Sequence, residues 1–86
     1  MLVIVVYDVP ADRTRVYRKL LRQKLEHIQN SVFYGTLTEG QVIKLENQIQ
    51  DRLHDDDSVI VFRSEAETFI EYQTFGDADE LGSRFT

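Results

Sequence analysis

An α+β fold, a single sheet with two helices on one face, is predicted by three features of this 86-residue sequence. Leu2-Val3-Ile4-Val5-Val6-Tyr7 is a β-branched run without a charge, and Ser58-Val59-Ile60-Val61-Phe62 repeats that character near the other end. Between and after these runs lie two stretches with apolar residues at helical spacing and two further extended stretches. The length permits one small domain and no second. Hydrophobic residues make up 42% of the chain, too many for a disordered segment.

The opening run is continuous and uncharged, which fits a central strand covered on both faces. It ends at Asp8-Val9-Pro10, because Pro10 cannot donate to a ladder. Residues 11–26 read as an amphipathic helix with Asp12 in its first turn as the cap. Val16, Tyr17, Leu20, Leu21 and Leu25 fall on its apolar side, and Arg15, Arg18, Lys19 and Arg22 follow the i, i+3, i+4, i+7 pattern opposite.

From His27 to Leu37 the chain reads as extended, broken at Asn30-Ser31 into two short strands, with Gly35 as the mark of a bulge. Thr38-Glu39-Gly40-Gln41 is a capping box, and Val42, Leu45, Ile49 and Leu53 form the buried side of the second helix. His54-Asp55-Asp56-Asp57 reads as a solvated acidic loop. Ser58–Phe62 is then a strand, Arg63–Thr68 a polar turn, and Phe69–Phe75 a last strand ended by Gly76. Residues 1–76 make the domain, and 77–86 form an acidic C-terminal tail.

This order is βαββαβ with an extra C-terminal strand, the ferredoxin-like class. Two helices cover one sheet face, and apolar strands leave the other without cover. The sequence therefore predicts a face-to-face homodimer in which Phe69, Ile70, Tyr72 and Phe75 of the last strand line the interface.

Several function classes drop out. Without Cys there is no disulfide, thiolate metal site or Cys nucleophile. The longest apolar run falls far short of the roughly 20 residues of a membrane span. Met1 enters it with neither a basic segment nor a cleavage site, so a cytoplasmic protein away from the membrane is expected. Ser31 lacks both a neighbouring base and nucleophile-elbow glycines, and no glycine loop of the phosphate-cradling kind is present.

The net charge of −5 taken alone argues against nucleic acid. The distribution argues the other way. Six of the ten bases (Arg13, Arg15, Arg18, Lys19, Arg22 and Lys24) fall within twelve residues, while acids gather at 55–57, 65–71 and 77–80. The acid excess, with three Lys and seven Arg, is of the kind seen in salt-adapted cytoplasm.

Leu2–Val9, the central Gln29-Asn30-Ser31-Val32-Phe33-Tyr34-Gly35-Thr36-Leu37-Thr38, Asp57–Arg63 and Thr74-Phe75-Gly76 together resemble the small CRISPR-associated protein family Cas-two. The resemblance covers residues 1–76, and its most specific parts are the strand ending in Tyr-Asp and the Gln-x-Ser-Val-Phe-x-Gly element. Tyr34 stands where many members place Glu, a position that is no metal ligand in the family. The resemblance implies a ferredoxin-like homodimer whose final strand crosses to the partner's sheet. It also implies metal-dependent endonuclease chemistry on RNA or DNA, and the bridging of dimers of the spacer integrase protein Cas-one, for which nuclease activity is dispensable.

Asp8 is the candidate catalytic and metal-binding residue. On spacing alone it reads more readily as the cap of the turn before Pro10. The resemblance makes it the ligand of Mg²⁺ or Mn²⁺, because the family's metal-binding Asp ends the first strand. Mg²⁺ is held by one or two carboxylates and keeps several waters, so two Asp8 residues across a two-fold axis would suffice.

Arg15, Arg18, Lys19 and Arg22 form a ridge about 10 Å long at 1.5 Å rise per residue, able to follow a phosphate backbone without reading bases. The resemblance adds Arg13, since Arg13 and Arg15 match family bases that touch the DNA backbone. The bland alternative is a solvated helix face. His27 and His54 stand without further ligands at metal spacing. Tyr7, Tyr34 and Tyr72 could stack bases but fit core or dimer contacts better. Double-stranded DNA, and alternatively single-stranded RNA, is the expected nucleic-acid partner.

Overall fold

The computed structural model describes residues 1–66 and 69–76, with backbone alone at 66 and 69–72. Its elements are β1 (Leu2–Asp8), a 3₁₀ turn (Ala11–Arg13) running into α1 (Thr14–Leu21), β2 (Glu26–Gln29), β3 (Val32–Thr36), α2 (Glu39–Arg52), β4 (Ser58–Ala66) and β5 (Phe69–Gly76). The strands make one antiparallel sheet in the order β2-β3-β1-β4-β5. This is the ferredoxin-like βαββαβ arrangement with β5 added beyond β4. The expected acidic tail at 77–86 lies outside the described residues.

β1 is central, as its composition predicts. Val3, Val5 and Tyr7 are buried, whereas Ile4 and Val6 are half-buried and Leu2 is 42% exposed. Register carries this alternation across the sheet: Val5 lies opposite Phe33 and Val61, and Ile4 opposite Tyr34 and Phe62. Opposed residues share a face. The first set packs with Tyr17, Leu20 and Leu21 of α1 and Val42, Leu45 and Ile49 of α2 in one core cluster. Each such side chain contributes about 1.5–3 kcal/mol when fully buried. The second set faces away, with Leu2 and Tyr34 exposed. Among the described residues, the helices thus cover one face of β1, and the other is half-buried at Ile4 and Val6.

The first helix is shorter than expected. Pro10 and Ala11–Arg13 make a 3₁₀ turn before α1, and Asp12 caps neither element through its side chain. The helix stops at Leu21, because β2 must begin at Glu26 to pair with Tyr34 of β3. Leu25 still reaches the core, from a tight turn in which its N–H donates to the Leu21 carbonyl at 2.9 Å. α2 begins as predicted: the Gln41 N–H donates to Thr38 Oγ1 and the Thr38 N–H to Gln41 Oε1. Val42, Leu45 and Ile49 are buried and Leu53 is partly so.

Two strand expectations change. The bulge falls between His27 and Gln29, not at Gly35. Gly35 is small because a Cβ there would sit 2.8 Å from Leu25 Cδ2. The turn expected at Arg63–Thr68 is instead the continuation of β4 to Ala66, since β5 pairs back along it from Ser58↔Gly76 to Ala66↔Phe69. The extra C-terminal strand is present as expected: β5 pairs with β4, and Phe69–Gly76 forms the outer strand of this sheet. Of the expected interface side chains, Phe75 is half-buried against the core; those of Phe69, Ile70 and Tyr72 lie outside the described residues. No helix among the described residues is long and apolar enough to cross a membrane.

Candidate nucleic-acid interface

Because Tyr17, Leu20 and Leu21 turn α1 toward the sheet, residues on its far side must face outward. Arg15, Arg18, Lys19 and Arg22 are all exposed and together line one shallow depression. None of their side chains makes an ion pair or hydrogen bond among the described residues. Four unpaired cations in contact with one hollow hold a local positive potential that the rest of an acidic chain does not cancel at short range.

Arg13 sits apart from them. It precedes α1 and turns inward, where its guanidinium pairs with Asp57 (Nε to Oδ2 2.9 Å, Nη2 to Oδ2 2.9 Å) and Nη2 donates to the Arg52 carbonyl. The guanidinium carbon also lies 5.8 Å from the centre of the Tyr17 ring. The same Oδ2 accepts from the Tyr17 hydroxyl at 2.6 Å and from the His54 N–H at 3.1 Å. Asp57 is fully buried, so the reading of 55–57 as a solvated loop holds for Asp55 and Asp56 and is corrected for Asp57. This clamp ties the start of α1 to the α2–β4 connection. The sequence signal for it was slight: Asp57 directly abuts an apolar strand, whereas Asp55 and Asp56 do not.

Burial alone would push the Asp57 carboxyl up, but hydrogen bonds from Tyr17, the His54 N–H and Arg13 outweigh it and hold it below the usual carboxylate range. The Tyr17 hydroxyl moves the other way, pushed up to about 12 by burial and then by its bond to Asp57.

Asp8 ends β1 opposite Ser58, whose hydroxyl donates to the Asp8 carbonyl at 3.1 Å. Its side chain is exposed and has no partner among the described residues. Pro10 and the 3₁₀ turn separate it from the α1 ridge, so one short connection carries both features. No group of three or more His, Asp or Glu side chains among the described residues is placed to hold a metal ion.

The aromatic candidates divide. Tyr7 is buried and stacks on Tyr17 and Phe33, with centroids 5.6 and 6.3 Å apart. Tyr34 is 39% exposed and donates to Glu26 Oε2 at 3.1 Å. His27 stacks on Phe33, and its Nε2 lies 2.6 Å from the Asn30 carbonyl oxygen.

The chain is 59% identical to the CRISPR-associated endoribonuclease Cas2 of Haloferax volcanii over all 86 residues of both proteins. It is 36% identical to the protein of that name from Fusobacterium nucleatum, over 99% of this chain and 86% of the relative. A crystal structure of a Cas2 protein superposes with a TM-score of 0.73 at 40% identity, covering 80% of this chain and 79% of the other. Streptococcus pyogenes Cas2 gives a TM-score of 0.67 at 25% identity over 74% and 86% of the two chains. Residues 1–71 match the family model described as CRISPR associated protein Cas2, and with β1, Asp8 and the central β3 element inside that span, the chain belongs to the Cas2 family.

Proposed function

We propose that the chain serves CRISPR spacer acquisition as a homodimer. It lays the backbone of duplex DNA along its α1 ridges and bridges subunits of the integrase protein Cas-one. One observation carries this reading: four exposed bases, unpaired among the described residues, converge on a single hollow in a chain of net charge −5. Phosphate contacts position a duplex and supply most sequence-independent affinity, and they need cations spaced along a line and nothing that reads bases. The open apolar sheet face, with Leu2 and Tyr34 exposed, supports a second copy as the element that completes the surface.

A second reading has its own support. The relatives are named endoribonucleases, and Asp8 is an exposed carboxylate, without a partner among the described residues, at the end of a central strand. Asp8 and its symmetry mate would hold Mg²⁺ or Mn²⁺, with waters completing the shell. When bound, such an ion lowers the pKa of a water and offsets charge on a phosphodiester of RNA or DNA. The bases on α1 would then position the backbone for cleavage.

Spacer acquisition and RNA cleavage measured on the same variants separate the readings. Under the first, Asp8→Ala leaves acquisition intact and Arg15→Glu/Arg18→Glu abolishes it. Loss of acquisition in Asp8→Ala, together with loss of divalent-dependent cleavage, would favour the second.

A further inference from the structure

The positive surface does not end with the α1 ridge. Lys19 lines both the ridge hollow and a second depression, which passes Val16, Leu20 and Gln23 to reach Arg52 on α2. Beyond Leu20 a third depression opens between the helices, walled by Lys24 and Gln23 on one side and by Lys44, Gln41 and Gln48 on the other. Among the described residues no carboxylate lines any of the three, although acids outnumber bases 15 to 10 in the chain. The chain has three lysines, Lys19, Lys24 and Lys44, and all of them border this interhelical surface. Lysine offers a compact, mobile charge suited to phosphate oxygens, and glutamine amides donate to phosphate and sugar without reading sequence.

We infer that the groove between α1 and α2 is a second phosphate track, which takes the opposite strand of a duplex whose first strand lies on the α1 ridge. This rests on the nucleic-acid reading above and extends it to α2. Lys24 and Lys44 on the two walls of the groove, beside the ridge, offer a second strand phosphate contacts of its own. One strand alone occupies only the ridge.

The test is Lys44→Glu in the full chain, with binding to a mixed-sequence duplex and to a single strand of equal length followed by fluorescence anisotropy over a salt series. Arg15→Glu/Arg18→Glu reports on the ridge. Asn47→Glu/Gln50→Glu, on exposed positions of α2 outside the groove, changes the net charge by the same two units as Lys44→Glu. The expected result is a five- to tenfold loss on duplex for Lys44→Glu, with a salt slope shallower by about one for each protomer engaged. The loss on single strand stays under twofold, and the Asn47/Gln50 variant loses less than Lys44→Glu on duplex. Lys44→Ala should give the same pattern at reduced size, which guards against an effect of the introduced acid.

Equal losses from Lys44→Glu and the Asn47/Gln50 variant would overturn the groove in favour of net charge alone. Equal losses on duplex and single strand would overturn its assignment to a second strand. Unchanged duplex binding in Lys44→Glu, beside a large loss in Arg15→Glu/Arg18→Glu, would overturn the groove and leave the ridge standing. Loss in neither would overturn both.

Discussion

Removing the Asp57 carboxylate should cost far more than deleting one acid from an acidic loop. Asp57 is fully buried and accepts from Tyr17, Arg13 and the His54 N–H. In Asp57→Ala the Tyr17 hydroxyl, itself on a fully buried residue, is stranded, at about 1–3 kcal/mol. Arg13 and His54 lie nearer the surface, where water replaces part of what they lose, so each adds a few tenths to ~1 kcal/mol. The total is about 2–5 kcal/mol, against a stability of roughly 4–13 kcal/mol for a chain of this size. At about 4–8 °C per kcal/mol, the melting temperature should fall by roughly 10–40 °C. Thermal and urea unfolding followed by circular dichroism measure this directly, with Asp55→Ala, an exposed neighbour, as the control expected within ~0.5 kcal/mol of the parent. Tyr17→Phe should cost about 1 kcal/mol, and the double variant less than the sum, because the two groups share one bond. If Asp57→Ala proves no worse than Asp55→Ala, the clamp contributes nothing to folding.

Further expectations follow from the same geometry. With its carboxyl held low in the folded state, the contribution of Asp57 is complete above the unfolded value near 3.8 and is lost as pH falls below it, so Asp57→Asn should flatten the acid limb of a stability–pH curve. With Tyr17 raised to about 12, its contribution is present below pH 10 and lost between 10 and 12, and Tyr17→Phe should remove that alkaline limb. Gly76→Ala should destabilise by about 3 kcal/mol or more in urea unfolding, since Gly76 has φ +80° and a Cβ there collides with the Asp57 carbonyl. Thr38→Ala should cost about 1 kcal/mol by loss of the capping box, read in the same assay. Light scattering at micromolar concentration should give a dimer, and a well-behaved monomer would refute the role proposed for the open sheet face.

Much of this architecture was legible because local signals and the fold agree. The uncharged run of β1, the Thr38–Gln41 box and the 3.6-residue period of α1 each state one answer. The misreadings fall where tertiary pairing overrides local pattern. Residues 22–25 keep helical periodicity, yet β2 has to start at Glu26, so the chain turns early and Leu25 reaches the core from a loop. Arg63–Ala66 is polar enough for a turn, yet the β4–β5 ladder extends over it. Arg63 and Glu46 even form an ion pair there at 3.4 Å, a long-range partnership that no local pattern announces. In the candidate site, periodicity placed the ridge bases; the fate of Asp57 depended on an interaction spanning 44 residues, which periodicity cannot register.

Arg13 and Arg15 show why that distinction matters for function. They stand two residues apart, carry the same charge, and match the same region of the family pattern. The helix begins between them. Arg13, before its first residue, is directed at Asp57 and the Arg52 carbonyl; Arg15, inside its first turn, points to solvent with the ridge. Reversing Arg13 would place a second carboxylate against a buried one and unfasten the start of α1, so binding would fall because the ridge loses its support. Reversing Arg15 removes a cation from an intact surface. The two mechanisms separate on stability and salt dependence together. Arg15→Glu should leave the melting temperature within about 2–4 °C of the parent and make the salt slope shallower. Arg13→Glu should lower the melting temperature first and, at temperatures where it remains folded, keep the parent's slope. A shallower slope in folded Arg13→Glu would mean that Arg13 leaves Asp57 to meet phosphate, and the clamp would then be a part of the interface that opens on binding.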